Sequence, residues 1–298
     1  MRSLILAIVF SGLTNAASAQ FFANHPNGTP TGQQPFVQDI AANIPVVGVS
    51  DLTLTPDGRL FAISDQTKIF ELTDACQVLR TIGYTGSITQ YSITGRDCEA
   101  IAWVNGDAVS DTFAVLHEGS RVVFFVDIPT TGDYTIDLSA VTAHIQCPGT
   151  GKPYESMRQD PFDPTRLIVS RIQVKASTLP PYEVDVIHDG VSPLSTEIDV
   201  SFVNAPSSQY QTIRSTFHPP LLPNSIAALR TSGGALRMVE RADNGTIVSY
   251  QQIATLGTYF EGIATKRTVN DDGWIIFVCI DVNSTTANNV FRYVRMDP

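Results

Sequence analysis

The sequence predicts an all-β chain, and within that class a β-propeller of five blades. Three observations carry this: short apolar strands bounded by turn residues, no stretch with helical periodicity, and a phrase that recurs five times with acids at matching positions.

Runs such as LFAIS, KIFEL, RVVFFVDI, RLIVSRI and WIIFVCIDV are rich in Val, Ile and Phe, and each is bounded by Gly, Asp, Asn, Ser or Pro. That is the pattern of tight antiparallel hairpins. The recurring phrase is an acid or polar residue, a short apolar strand, a turn, then a second strand ending in an acid. It occurs as DLTLTPDGRLFAISD (51–65), EAIAWVNGDAVSDTFAVLHE (99–118), ESMRQDPFDPTRLIVSR (155–171), SIAALRTSGGALRMVE (225–240) and EGIATKRTVNDDGWIIFVCID (261–281). Successive starts lie 48, 56, 70 and 36 residues apart. A period near 50 with several strands per unit is that of propeller blades. The last phrase leaves too little chain for a whole blade, so a strand near Phe36–Val49 is expected to complete it and close the ring. The long 155–225 interval leaves a sixth, degenerate blade open. A β-sandwich also has evenly spaced strands but does not predict the repeated acids.

Ahead of the propeller (36–298), residues 1–19 combine Arg2, an apolar run and the ending Ala17-Ser18-Ala19, the pattern of a secretory signal peptide cut before Gln20. A secreted or periplasmic protein is therefore expected. Residues 20–35, rich in Pro, Gly, Asn and Gln, read as a flexible N-terminal segment. No later stretch has the roughly 20 apolar residues of a membrane helix. Without Arg2 the chain carries 18 basic and 29 acidic residues. That balance argues against nucleic acid as partner and leaves cations, a small molecule or a protein. A monomer is expected. Cys76, Cys98, Cys147 and Cys279 form an even set in an exported chain, so two disulfides are expected, with three pairings open.

In a propeller the start of each inner strand and the end of the next lie on one face. The repeats therefore nominate an inner set, Asp51, Glu99, Glu155 and Glu261, with Ser225 in the fourth unit. A second set is Asp65, Glu118, Glu240 and Asp281, with Arg171 breaking the series. Asp97 falls outside that register and reads as a loop residue. Converging carboxylates need a neutraliser. Calcium, which takes six to eight oxygens, is one candidate. Arg96, Arg121, Arg171, Arg241 and Lys266 are the other. Alternatively, any one acid at a strand entrance accepts backbone N–H bonds without binding anything. The inner set is thus nominated for metal and the second set for ligand.

Asp51-Leu52-Thr53-Leu54 with Phe61-Ala62-Ile63-Ser64-Asp65, Cys98-Glu99-Ala100-Ile101-Ala102, and above all Phe260-Glu261-Gly262-Ile263-Ala264 resemble the SdiA-regulated family of exported β-propellers. They are more loosely similar to the domain called esterase-like activity of phytase. The resemblance spans about residues 45–298 and implies a propeller, export and calcium binding. Ala100 and Ser156 stand where the family usually has Gly, and Asn224-Ser225 where it has an acid.

No Gly-x-Ser-x-Gly elbow occurs, and His117-Glu118 continues Gly-Ser-Arg rather than completing a His-Glu-x-x-His zinc motif. His117 beside the acids is the one catalytic candidate, as proton carrier in a calcium-dependent phosphoesterase, esterase or lactonase. The expected function is a binding propeller, with that hydrolase as the alternative.

Overall fold

The computed structural model describes residues 20–147, 154–159, 166–171, 182–187, 197–199, 210–217, 224–231, 236–242, 246–253 and 259–297. The expected leader, 1–19, lies outside them. The described chain is all-β in a propeller-like arrangement. Among the described residues no helix is long and apolar enough to cross a membrane.

Strand β1 (Val37–Ala42) comes first but belongs to the last sheet. The next sheet holds β2 (Val49–Leu54), β3 (Leu60–Ser64), β4 (Lys68–Leu72) and β5 (Val78–Thr85) as antiparallel neighbours. A second sheet follows with β6 (Cys98–Gly106), β7 (Ser110–His117) and β8 (Val122–Pro129). The chain then crosses back: β9 (Tyr134–Asp137) pairs parallel with β5, and β10 (His144–Gln146) returns to the edge of β8. A third sheet runs β11 (Tyr154–Gln159), β12 (Arg166–Arg171), β13 (Tyr182–Ile187), β14 (Glu197–Asp199). A fourth runs β15 (Tyr210–Phe217), β16 (Ser225–Thr231), β17 (Leu236–Arg241), β18 (Ile247–Ile253). The last holds β19 (Tyr259–Arg267), β20 (Gly273–Asp281) and β21 (Val290–Met296), with β1 antiparallel to β21. The first strands touch in cyclic succession, β2 to β6, β6 to β11, β11 to β15, β15 to β19 and β19 to β2.

Strands such as β3 and β20 are buried on both faces, which is why they are apolar throughout rather than alternating with polar residues. Side chains still alternate between the faces. Phe61 and Ile63 of β3 join Ile101, Phe113, Val115 and Phe124 of the second sheet in one core. Leu60 and Ala62 of the same strand join Ile275 and Phe277 of the last sheet in another. A third core packs Leu116 and Val123 against Tyr154, Leu167 and Val169.

The fourth unit departs from the sequence register. Its first strand is β15, so the phrase SIAALRTSGGALRMVE supplies the second and third strands, β16 and β17. First strands start at 49, 98, 154, 210 and 259, and their spacings of 49, 56, 56 and 49 residues replace the uneven ones. The similar hairpin pattern of adjacent strand pairs disguised the shift.

Two further expectations change. No cysteine pair lies at disulfide distance; all four cysteines are buried. Cys98 fills one apolar core, Cys76 and Cys279 a second, and Cys147 a third. They serve as small apolar residues, a common use of buried thiols. Nor is the segment after residue 19 loose: Phe21, Phe22 and Phe36 are buried in the core between the fourth and last sheets. Three aromatic rings outweigh the polar composition around them.

Phe61→Ala, which empties a fully buried site shared by two sheets, is expected to cost about 3–5 kcal/mol in urea unfolding. Val269→Ala at an exposed hairpin tip should stay within about 0.5 kcal/mol of the parent.

Candidate functional site: an acid-lined axial cavity

A β-bulge opens each first strand, and it decides which side chain leaves the inter-sheet face. One extra residue interrupts the ladder and re-aims its side chain. The register shifts between Cys98 and Ala100 around Glu99, between Tyr154 and Ser156 around Glu155, and between Phe260 and Ile263 around Glu261-Gly262. In β2 it shifts between Val49 and Asp51, so the bulged residue is Ser50. In β15 the corresponding shift falls at Gln211.

The bulged side chains of Ser50, Glu99, Glu155 and Glu261 line one cavity of about 370 Å³, together with Asp65, Glu118 and Asp281. Six of the eight nominated acids therefore meet there. The other two do not line it. Asp51, one residue out of the bulge register, is buried between β2 and β6, where its Oδ2 accepts the Ile101 N–H at 3.2 Å. Burial pushes its carboxyl well above the usual range. Glu240 lies one residue before the end of β17, the third strand of its sheet, and is buried there. Its oxygens accept Phe21 N–H at 2.6 Å and Asn224 Nδ2 at 2.8 Å. Both are acids satisfied by neighbouring polar groups.

Main-chain bonds string the rim together. Asp65 N–H donates to Gly48 O, Asp97 N–H to Asp65 O, and Glu118 N–H to Asp97 O, at 2.9–3.0 Å. Gly48 has φ +65°, and a Cβ there would lie 2.1 Å from Asp65 Oδ1, so glycine lets that carboxylate sit against the backbone. Gly262 permits a different close approach, of β19 to β2: its Cβ would meet Asp51 Cα at 2.5 Å.

Asp97 joins the site although its register excluded it. It adopts φ +61°, its Oδ2 accepts Gly119 N–H at 2.9 Å, and carboxylate oxygens of Asp97, Glu99 and Glu118 lie within 4.8 Å of one another. Neither Asp97 nor Ser50 was nominated by the repeat. For Asp97 the available signal is its i, i+2 spacing to Glu99; for Ser50, its place directly before Asp51.

Crowding shows in the titration. Burial first, then the charges of Glu118, Glu261, Asp65 and Asp97, push Glu99 from 4.5 up to about 8. Burial, opposed by a bond from Gln66, and then Asp281 and Asp97 push Asp65 up too. Two like charges 4.8 Å apart repel by about 3–4 kcal/mol at an effective dielectric of roughly 20. Three such pairs approach the roughly 5–15 kcal/mol net stability of a whole domain. Crowding of this kind favours keeping a proton on one of the carboxylates, as at Glu99, or placing a cation among them.

Among the described residues the lining contains no Lys or Arg. Lys266 instead pairs with Asp74 at 2.5 Å and bonds Gly58 O. Arg241 is buried in β17, Arg96 is exposed, and the Arg121 main chain closes the turn after Glu118. The side chain of Arg171 lies outside the described residues. His117 is half-buried and does not line the cavity. Its Nδ1 accepts Ser120 N–H at 3.0 Å and faces Ser120 Oγ at 2.9 Å, and burial lowers its pKa.

No protein-family model matches the chain, and comparison with curated proteins finds no similar sequence. Among solved structures, the tail fibre of Staphylococcus aureus phage P68 is similar in fold, with TM-score 0.53 at 8% identity over 87% of this chain and 51% of the fibre chain. The chain thus spans about half the length of that protein. The Cps50 (Swd1) β-propeller domain of Myceliophteria thermophila has TM-score 0.41 at 10% identity, covering 88% of this chain and 75% of its own. A Bacteroides caccae protein of unknown function gives 0.35 at 16% identity, covering 77% and 69%.

Glu99 binds a proton between pH 4.5 and about 8 in the folded chain but not in the unfolded one. Its contribution is complete below pH 4.5 and lost as pH rises through 8. In EDTA the melting temperature of the wild type should therefore fall across that window. Glu99→Gln should flatten the fall and raise the pH 8 melting temperature by several degrees, about 1–3 kcal/mol by urea titration. An unchanged slope in the variant would show that another group titrates.

Proposed function

We propose that the protein is an exported five-bladed propeller, closed by β1 against β21, whose axial cavity binds calcium and presents it to a ligand or partner at that face. The observation that carries this is six carboxylates around about 370 Å³ with no basic side chain in the described lining.

The donor set favours a hard cation. Among the described residues the lining is all oxygen, with carboxylates and the Ser50 hydroxyl and neither His nor Cys, a set that suits a hard cation better than zinc. Magnesium demands tight octahedral geometry, whereas calcium accepts six to eight oxygens in looser arrangements. Asp97, Glu99 and Glu118 supply the closest cluster, and Asp65 lies in electrostatic reach of Asp97 and Asp281. When bound, the cation would supply charge neutralisation and an open coordination position. The chain's own residues do the rest: the bulges aim Glu99, Glu155 and Glu261 inward, and the main-chain string holds Asp65, Asp97 and Glu118 together. Export is supported by the leader-like residues 1–19. The resemblance to SdiA-regulated propellers points the same way.

A hydrolase has less support. His117 closes a turn, and among the described residues the lining offers carboxylates and one hydroxyl but no imidazole. Binding is therefore the preferred reading.

Calorimetric titration of wild type with calcium should show saturable binding, and Glu99→Gln/Glu261→Gln should weaken it at least about tenfold by removing two charged oxygen donors. Absence of heat and of any melting shift with wild type at roughly 10 mM calcium, the weak end of natural sites, would end the proposal.

Affinity should also rise from pH 6 to about 8, with proton release on binding, because calcium must displace the Glu99 proton. Parallel assays of phosphate esters and lactones should show no calcium-dependent turnover; turnover would move the assignment to the hydrolase.

A further inference from the structure

The segment preceding β1 is held by more specific contacts than a linker needs. Phe21 and Phe22 pack edge-to-face with ring centroids 5.1 Å apart, and Phe21 meets Trp274 edge-on at 5.2 Å. The main chain is gripped on both sides of Phe21: its N–H donates to Glu240 Oε2 at 2.6 Å, and Arg295 Nη1 donates to its carbonyl. Arg295 also lies over the rings of Phe21 and Phe36, at 5.0 and 4.7 Å. Phe22 N–H donates to Ser249 Oγ at 2.9 Å, and Asn24 exchanges two main-chain bonds with Tyr250 on the free edge of β18. At the other end Gln251 brackets Phe36, accepting its N–H and donating to its carbonyl, both at 2.7 Å. Between these anchors, residues 27–30 are exposed. Two anchored ends joined by an exposed stretch make a plug on a tether.

This plug touches the side of the fold that carries two cavity acids. The core that receives Phe21, Phe22 and Phe36 also contains Phe260 and Ile280, with Val282 packed against it. Phe260 directly precedes Glu261, and Ile280 and Val282 flank Asp281.

We propose that the cleft between the fourth and last sheets is a peptide-binding site for this chain's own Gln20–Phe36 segment, and that its occupation holds Glu261 and Asp281 in place at the cavity. Recognition would be by two adjacent aromatic rings with Glu240 and Arg295 reading the main chain between them. Only the second half, the link to the cavity, borders on the cation reading.

All readouts are taken in EDTA, so calcium binding does not enter them. In a W103F background, leaving Trp274 as the reporter, F21A/F22A should red-shift emission and lower the melting temperature by roughly 10 °C or more. Amide exchange along β19 and β20 should speed at least about tenfold. A chain beginning at Val37 should recover emission and melting temperature on titration with synthetic Gln20–Phe36 peptide, and not with its F21A/F22A version. Should that chain fail to fold, a protease site inserted between Gly28 and Thr29 releases the plug from folded protein, and labelled peptide is then exchanged into the cleft. Melting of F21A/F22A within about 2 °C of the parent, or a peptide that neither rescues nor exchanges, overturns the site. Unchanged exchange in β19 and β20 overturns the link to the cavity. A protein that binds no calcium would refute the cation reading while leaving each of these results intact.

Discussion

Like-charge repulsion in a space of about 370 Å³ is the constraint around which the described fold is arranged. Side chains that repel by several kcal/mol per pair stay together only if the backbone beneath them cannot yield. That rigidity comes from strands buried on both faces. The β3 strand is held by Phe61 and Ile63 from one side and by Leu60 and Ala62 from the other, so its end, and Asp65 with it, cannot swing away. The apolar cores and the acidic cavity are in this sense one system: the first supplies the energy that the second stores as raised carboxyl pKa values.

The bulge is what converts a repeated sequence phrase into a convergent site. Without the extra residue, Glu99 and Glu155 would project between sheets, where nothing compensates a charge. With it, the same residues turn to the axis. One residue of register separates the two outcomes, and β2 shows both: Ser50 reaches the cavity and Asp51 is buried beside it, bonded to Ile101.

That single residue also marks what the sequence could and could not convey. Strand composition and the recurring phrase were legible, because hairpins and propeller units leave periodic traces. Six of the eight nominated acids line the cavity for the same reason. Register was not legible at Asp51, because a bulge has no compositional signature. Nor was it in the fourth unit, because two hairpins of one sheet look alike and Glu240 closes the third strand as plausibly as the second. Asp97 depends on a left-handed backbone that an Asp tolerates but does not announce. The cysteines and the aromatic plug failed differently: composition speaks of polarity and export, while burial depends on which neighbours a few side chains find.

The five bulge positions are held by Ser50, Glu99, Glu155, Gln211 and Glu261, three acids and two uncharged residues. Glu240, the acid nominated from the fourth unit, has gone to the plug instead of the axis. A scaffold of nearly equal repeats thus carries an unequal charge, and its axis has a compass direction. The direction of the field inside the cavity is therefore set as much by Ser50, which brings no charge, as by the acids beside it.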